Sequence, residues 1–375
     1  MKLSSLPGIG NLFPRPKAHP EQREKRPFNT AQIELTSRCT TGCVFCPHQA
    51  LAESWVQGDM PVELYRQHIA PHLDLFDLVY LQGWGEPMLH PGLWEMLEMA
   101  RQHGCQTGFT TNGTWLQGDQ NERLVETGVD MISVSFAGTA ASVHESLRTN
   151  SNFEALCRNF EALANLKKQR GRAKPWLELH FLMTRANLNE LPGLVELAAS
   201  LGADEVVATN LAYAPSLELD RMRVFGENPL AEDLEVVVQA TQAAARLKMP
   251  FRAYPLKTEV ATLVCDADPM NSIYVNYQGD VSGCVYMGLT AQDPMPRFYE
   301  GVPQPFDRIS FGNICDGMEK ALEGHARQEF VQAFSRRKAM GNPLAMFSYL
   351  AGPQQTEQLP LAPPPCRCCY KLLGI

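Results

Sequence analysis

The sequence Thr-Ser-Arg-Cys-Thr-Thr-Gly-Cys-Val-Phe-Cys at residues 36–46 decides how the rest of the chain is interpreted. Its cysteines, Cys39, Cys43 and Cys46, follow the spacing C-x3-C-x2-C. Three thiolates on one short loop are able to hold three irons of a cubic [4Fe–4S] cluster, because soft sulfur ligands suit iron–sulfur clusters. The fourth iron then keeps a free position for a small chelating molecule, and Phe45 would lie beside that molecule.

The same stretch resembles the cluster loop of the radical S-adenosylmethionine (radical SAM) enzymes, whose signature is C-x3-C-x-aromatic-C. In that family the free iron binds the amino and carboxylate groups of S-adenosylmethionine. An electron from the cluster cleaves this cofactor to methionine and a 5′-deoxyadenosyl radical, which abstracts hydrogen from the substrate. The alternatives are a zinc site and three unrelated thiols. Zinc sites usually use paired C-x2-C or Cys/His sets, and no partner pair lies nearby.

Composition places the chain among ordinary globular proteins. Its 375 residues are 45% hydrophobic and 20% charged, so one large or two medium domains are expected. The net charge of -8 argues against a general nucleic-acid binder or a binder of anionic membranes. The sequence has no apolar run near the roughly 18 residues that span a bilayer. Residues 1–28 lack the apolar core of a secretory signal, so a cytoplasmic location is expected.

Alternating strand and helix patterns surround the cysteine loop. The loop follows a predicted strand, at the carboxyl end where α/β barrels bind ligands. Repeated alternation predicts a parallel sheet with right-handed crossovers. The resemblance implies an α/β fold with an open, partial (β/α)6 TIM-like barrel at residues 30–255, between a leader at 1–29 and a small C-terminal α+β extension at 256–375. The predicted barrel strands are residues 31–36, 78–81, 106–110, 131–136, 177–183 and 205–209.

The loop after the second predicted strand carries more of the resemblance. Gly83-Trp84-Gly85-Glu86-Pro87 is similar to the family's Gly-Gly-Glu-Pro motif, with Trp84 inserted between the glycines. Glycine lets a backbone approach a ligand closely. The resemblance implies that Gly83, Gly85 and Glu86 hold the ammonium group of S-adenosylmethionine. An ordinary turn before the next helix is the alternative.

Two further loops extend the resemblance. Residues 111–113, Thr-Asn-Gly, are similar to a family turn and imply cofactor contact for Asn112, although Asn-Gly alone is a common turn. The resemblance implies that Ser135, on the fourth strand, contacts the cofactor and that Arg148, about a dozen residues later, pairs with the cofactor's carboxylate, because a guanidinium suits a carboxylate. Ala137 stands where many relatives have Asp, so any role of that acid is absent here.

Glu178 and His180 are the candidate catalytic residues. Together with Leu182 they share one face of the fifth predicted strand, because successive side chains of a strand alternate between its faces. If the opposite face packs on helices, both point into the barrel, where they could contact cofactor or substrate. The alternative is a polar pair inside the barrel with no catalytic role.

A second group of cysteines follows the predicted barrel. Cys265 and Cys284 bracket a segment whose residues 273–284 alternate around Gln-Gly-Asp and predict a β-hairpin. With Gly-Asn-Ile at residues 312–314, this pattern resembles the SPASM or shorter twitch extension of some radical SAM enzymes. In that extension the hairpin carries two ligands of an auxiliary [4Fe–4S] cluster.

The resemblance implies Cys265, Cys284, Cys366 and Cys369 as the auxiliary ligands. The C-x2-C spacing lets the last two reach one cluster, and Cys368 is a spare thiol that could replace either neighbour. The chain ends six residues after Cys369, which favours the twitch form with one auxiliary cluster. A zinc site with four cysteine ligands and a redox-active dithiol in the tail are the alternatives.

Together these motifs predict an enzyme, either a radical SAM oxidoreductase or an enzyme that modifies peptides or natural products. The auxiliary cluster would either accept an electron from the substrate radical or anchor the substrate. The resemblance implies a peptide or protein side chain, or a small metabolite, as substrate, and an electron donor such as flavodoxin or ferredoxin. The alternative is a non-enzymatic iron–sulfur or zinc-binding scaffold. The loop at residues 83–87 argues against it, because a scaffold has no use for a cofactor cradle.

Overall fold

The computed structural model describes residues 26–259, 262–291, 293–340 and 359–375. The predicted leader at residues 1–29 therefore lies outside the described residues, apart from its last four positions. Within the described ranges, no helix combines the length and the apolar character that crossing a lipid bilayer requires.

A single ten-stranded sheet organises the described part of the chain. Its central strands are parallel and follow chain order, as the partial (β/α)6 barrel predicts. Helices between them bury their apolar sides in the same core as the outer faces of the strands. These strands are β1 (Phe28–Ile33), β2 (Phe76–Tyr80), β3 (Gln106–Thr111), β4 (Met131–Phe136), β5 (Trp176–Met183) and β6 (Glu205–Asn210).

Four further strands extend the sheet at its two edges. β7 (Phe251–Ala253) pairs parallel with β6, and β8 (Ser272–Val275) pairs parallel with β1. β9 (Asp280–Ser282) and β10 (Gly312–Asn313) continue antiparallel beyond β8. The predicted hairpin is present, with Gly279 at a φ of 89° in its turn. It is hydrogen-bonded directly to the barrel instead of forming a sheet of its own.

Sequence patterns explain the long helices. In the helix Phe153–Gln169, Leu156, Phe160 and Leu163 recur on one buried face, and the side chain of Asn152 caps the first turn. The main helices are α1 (Val62–His68), α2 (Leu93–Gln102), α3 (Asp119–Thr127), α4 (Ala141–Leu147), α5 (Phe153–Gln169), α6 (Leu191–Leu201), α7 (Leu217–Arg221), α8 (Ala231–Leu247), α9 (Met318–Glu323) and α10 (His325–Met340).

The two faces of β5 have the environments that the alternation predicts. Its odd-numbered residues, from 177 to 183, pack in the hydrophobic core. Glu178, His180 and Leu182 line a cavity inside the barrel. β1, in contrast, lies three residues earlier than predicted. The chain leaves the strand at Glu34, whose buried carboxylate accepts a hydrogen bond from Trp84 N at 2.8 Å.

Candidate active site

The loop cysteines, Cys39, Cys43 and Cys46, face one cavity of about 410 Å³ inside the barrel. Burial raises the pKa of Cys46 to about 12, and the neighbouring Cys43 thiol adds to this shift. Burial also raises the pKa of Cys39. Bound metal reverses this preference, because a coordinating cation stabilises the thiolate. The three thiols are thus gathered where a metal cluster is able to use them.

Backbone pairing brings Arg148 to the cysteine loop. Cys43 and Arg148 are partners in a two-residue antiparallel pair, and Arg148 Nη1 donates to Cys43 Sγ at 3.4 Å. The guanidinium carbon lies 5.5 Å from the centroid of the Phe45 ring. Arg148 Nε is buried without a hydrogen-bond partner among the described residues. Because Arg148 also lines the cavity, this donor is suited to an anionic ligand group there.

Glu86 holds the turn at residues 111–113 in place. Its buried carboxylate accepts from Thr111 Oγ1 at 2.8 Å, from Asn112 N at 2.7 Å and from a third donor, the backbone N–H two residues further along its own loop. Burial raises the pKa of Glu86, although the hydrogen bonds from these donors act to lower it. Asn112 Nδ2 then lies 4.0 Å from Cys39 Sγ. Both residues line the cavity, but the Glu86 carboxylate is already occupied with positioning this turn.

The glycines of the loop at residues 83–87 make room for neighbouring protein atoms. A Cβ on Gly83 would lie 2.3 Å from Glu34 Cγ, and a Cβ on Gly85 would lie 2.2 Å from Thr36 O. Both glycines line the cavity. Close packing against the segment that leads into the cysteine loop therefore requires glycine at both positions, in addition to any ligand contact.

Glu178 lies in a polar network on the cavity wall. It is buried and accepts from Ser133 Oγ at 2.6 Å and from Arg252 Nη2 at 3.4 Å. Burial raises the pKa of Glu178 to about 7, although both partners oppose the shift. A carboxyl group with this pKa accepts and releases protons near neutral pH.

His180 has partners of its own. It is opposite Ser135 in the pairing of β4 with β5, and both residues line the cavity. His180 Nε2 lies 3.2 Å from Thr209 Oγ1. Burial lowers the pKa of His180 to about 4, with nearby cationic side chains adding to the shift. The imidazole is therefore neutral near pH 7. His180 contacts Thr209, whereas Glu178 contacts Ser133 and Arg252.

The structure also gathers the C-terminal cysteines, a name used below for Cys265, Cys284, Cys366 and Cys369. Burial raises the pKa values of the first three, and neighbouring thiols of the same group, including Cys369, add to each shift. For Cys284 the pKa rises to about 11. Cys284 also lines the barrel cavity, so this second group adjoins the space that the loop cysteines face.

Both cysteine groups consist of thiols, which are the ligands that iron–sulfur clusters use in proteins. Among the described residues, no three His, Cys, Asp or Glu side chains stand close enough together to hold a single metal ion. A cubic [4Fe–4S] cluster does not need that approach, because each thiolate binds a different iron. The loop cysteines would leave one iron open, and the C-terminal cysteines would ligate all four.

Two contacts on the cavity wall were not predicted from the sequence. The first is a buried ion pair on the cavity wall, in which Lys371 Nζ donates to Asp266 Oδ2 at 2.9 Å. The sequence signal for this pair is its position, because Asp266 follows Cys265 and Lys371 lies two residues after Cys369. The second is Trp84, whose Nε1 donates to the carbonyl of the residue after Cys284 at 3.1 Å.

Comparisons with known proteins show which families and structures the chain is similar to. The radical SAM superfamily profile matches residues 33–197. The chain is 26% identical over 294 residues to the tungsten-containing aldehyde ferredoxin oxidoreductase cofactor-modifying protein of Pyrococcus furiosus, which covers 77% of this chain and 78% of that protein. It is 27% identical over 216 residues to the PqqA peptide cyclase of Granulibacter bethesdensis, covering 57% of this chain and 55% of the cyclase. The chain thus spans about half the length of the cyclase.

The fold is also similar to a solved structure, native anSMEcpe with bound AdoMet and Cp18Cys peptide. The TM-score is 0.57 at 15% sequence identity, and the match covers 82% of this chain and 83% of that one. Residues 33–197 contain the loop cysteines, the loop at residues 83–87, and Arg148. Residues 33–197 of the chain are thus similar to the radical SAM superfamily, a family of enzymes that use a [4Fe–4S] cluster and S-adenosylmethionine.

Proposed function

We propose that this enzyme oxidises a side chain of a peptide or protein substrate in the barrel cavity. The loop cysteines would hold the cluster that binds S-adenosylmethionine, and the C-terminal cysteines would hold one auxiliary [4Fe–4S] cluster. The observation that carries this proposal is the single cavity of about 410 Å³, which is lined by all three loop cysteines and by Cys284. A substrate in this cavity would have access to both groups.

The chain's own residues supply binding and orientation. When bound, the two clusters and S-adenosylmethionine supply a radical that removes a hydrogen atom and an acceptor for the remaining electron. Arg148 offers its free Nε–H to the cofactor's carboxylate. Phe45 lies beside this guanidinium, and Gly85 and Asn112 complete the wall near the loop cysteines. Ser135 and His180 face the same space from β4 and β5.

Glu178 is the proposed proton acceptor. Two-electron oxidation of an H–C–X–H group, where X is O, N or S, releases a hydrogen atom from carbon, an electron and the proton on X. That proton needs a base. The pKa of Glu178, raised to about 7 by burial, suits this role better than the pKa of His180, lowered to about 4. Neutral His180 remains a hydrogen-bonding group on the wall.

A peptide substrate is favoured by the relatives. One is named a peptide cyclase, and one solved structure of similar fold holds a peptide. A small molecule is the second candidate, because the Pyrococcus protein, matched over most of both chains, is named for modifying a cofactor. Flavodoxin or ferredoxin would supply the electron. A reducing compartment such as the cytoplasm suits the chemistry, since ligating thiols must stay reduced.

Anaerobic reconstitution with iron and sulfide tests the proposal. We expect about eight iron atoms per chain, as two [4Fe–4S] clusters require, and release of 5′-deoxyadenosine with dithionite and S-adenosylmethionine. Replacing the loop cysteines with alanine should remove about half of the iron and all cofactor cleavage. Replacing Cys265 and Cys284 should also remove about half of the iron. Zinc in place of iron, or no binding of S-adenosylmethionine to the intact protein, would refute the proposal.

A further inference from the structure

A buried arginine lies against the segment that carries two of the C-terminal cysteines. Arg297 is only 5% exposed. Its Nη1 donates to the carbonyl oxygen of Pro365 at 2.5 Å and to that of Cys368 at 3.3 Å. These two residues are the chain neighbours of Cys366 and Cys369. The guanidinium is therefore anchored to the backbone immediately before each cysteine of the C-x2-C pair.

Aromatic rings cover the same guanidinium. Its central carbon lies 3.8 Å from the centroid of the Phe306 ring and 5.8 Å from that of Tyr213. Such contacts stabilise a cation modestly, and the rings limit access of water. Among the described residues, the contacts of the Arg297 guanidinium are these rings and two carbonyls, and no carboxylate forms an ion pair with it. A buried cation of this kind needs an opposite charge nearby.

The other buried cations near the C-terminal cysteines have different surroundings. Lys371 is balanced by Asp266. Arg337 also acts on Cys366, but it donates to three backbone carbonyls and ties separate segments together. The charge of Arg297 acts on two of the C-terminal cysteines, whereas that of Arg337 acts on one. Burial raises the pKa values of Cys284 and Cys366, and the charge of Arg297 opposes that shift at both.

We propose that Arg297 is the counter-charge of an auxiliary cluster held by the C-terminal cysteines, and that it raises the reduction potential of this cluster. The inference rests on the auxiliary cluster of the proposed function. A [4Fe–4S] cluster with four thiolates carries net negative charge and becomes more negative on reduction. A fixed cation in a site of low dielectric therefore stabilises the reduced form more than the oxidised form.

The consequence for the enzyme is a bias in the direction of electron flow. A higher potential makes the auxiliary site a better acceptor for the electron that substrate oxidation releases. The aromatic cover strengthens the bias, because the charge of Arg297 is less screened away from water. The residue acts through the cluster and has no proposed contact with substrate, so it is a positioning residue.

Potentiometric titration of the full-length chain tests the inference. Cys39, Cys43 and Cys46 are all replaced with alanine, so that only the auxiliary cluster remains, and its reduction is followed by electron paramagnetic resonance. In this background we compare Arg297→Gln, which removes the charge, with Arg297→Lys, which keeps it. Arg367→Gln is the matched control, since Arg367 is exposed and lies in the same tail, next to Cys366. Iron per chain is measured for every variant.

We expect Arg297→Gln to shift the midpoint potential to more negative values, with little change for Arg297→Lys and Arg367→Gln. Loss of iron in the Gln variant but not in the Lys variant would also support the charge requirement. Equal potentials for Gln and Lys, a shift in Arg367→Gln as large as in Arg297→Gln, or equal loss of iron in both Arg297 variants would overturn it. If the background chain with Arg297 intact binds no iron, the auxiliary cluster of the proposed function fails instead.

Discussion

Burial has opposite effects on two residues of the same strand. Glu178 and His180 both face the cavity from β5, and burial disfavours the charged form of each. The pKa of Glu178 therefore rises to about 7, while the pKa of His180 falls to about 4. Near neutral pH, the first residue exchanges protons and the second remains a neutral hydrogen-bonding group. One face of a strand thus presents two chemical functions.

Replacement of Glu178 with glutamine should change how stability depends on pH. The folded chain holds the Glu178 proton to about pH 7, whereas the ordinary value is 4.5. The stability that this group contributes is therefore fully present below pH 4.5 and is lost as the pH rises to about 7. Glutamine resembles the protonated acid and does not titrate. The variant should gain on the wild type across this range, by at most about 3 kcal/mol at neutral pH.

Thermal midpoints of both proteins, followed by circular dichroism at a series of pH values, check this prediction. Glu196→Gln is the control, because Glu196 is 58% exposed and pairs with Arg246 on the surface. The expected result is a difference between Glu178→Gln and wild type that grows with pH and levels off above about pH 7. A difference that does not vary with pH would mean that the carboxyl group is not perturbed by burial.

The sequence predicts the identities of site residues better than their partners. The loop cysteines follow a local spacing, so they are identifiable without the fold. The environment of Glu178 is not, because Ser133 and Arg252 are 45 and 74 residues away from it in the chain. Glu86 shows the same limit, since the motif indicates a cofactor contact but not the hydrogen bonds that hold residues 111–113.

At the scale of elements, the six barrel strands and their parallel order were predicted well, whereas the pairing of the C-terminal strands with the barrel sheet was not. β4 (Met131–Phe136) has the predicted bounds, because Ile132, Val134 and Phe136 alternate with Ser133 and Ser135 in the two-residue period of a strand. The attachment of β8 to β1 has no local signal. It joins segments as far apart as Glu34 and Tyr277, which are 243 residues apart and linked by a hydrogen bond.

Trp84 connects two such distant elements, and replacing it with phenylalanine should weaken that connection. Trp84 Nε1 donates to Val285 O at 3.1 Å, and its ring centroid lies 5.9 Å from that of Tyr286. Phenylalanine keeps an aromatic ring but loses the donor, so we expect destabilisation of about 1 kcal/mol. Because Val285 follows Cys284, the variant should also retain less auxiliary iron.

The thermal midpoint and the iron content of reconstituted Trp84→Phe measure these effects. Trp115→Phe is the matched control, because Trp115 is 39% exposed. The control should behave as wild type in both assays. Equal midpoints and equal iron content for the two variants would show that the Trp84 hydrogen bond does not support the auxiliary site.

At the scale of the whole molecule, the C-terminal segment is integrated with the barrel. β8 and β9 continue the barrel sheet, and the C-terminal tail contacts α7 of the barrel region. There Tyr370 donates to Asp220 Oδ1 at 2.7 Å, and Ile375 is 1% exposed. Shared strands and buried contacts of this kind favour one cooperative unfolding unit over two.

Replacement of Ile273 with alanine tests this cooperativity. Ile273 lies on β8 opposite Ala31 of β1 and is 2% exposed in the common core. Truncation of a buried isoleucine costs about 2–5 kcal/mol. If the barrel and the C-terminal segment unfold together, hydrogen exchange should accelerate in β3 and β4 as well as in β8 and β9. Val302→Ala, at a side chain that is 52% exposed, should leave both regions unchanged. Faster exchange confined to β8 and β9 would instead mean that the C-terminal segment opens independently, leaving the barrel and its loop cysteines intact.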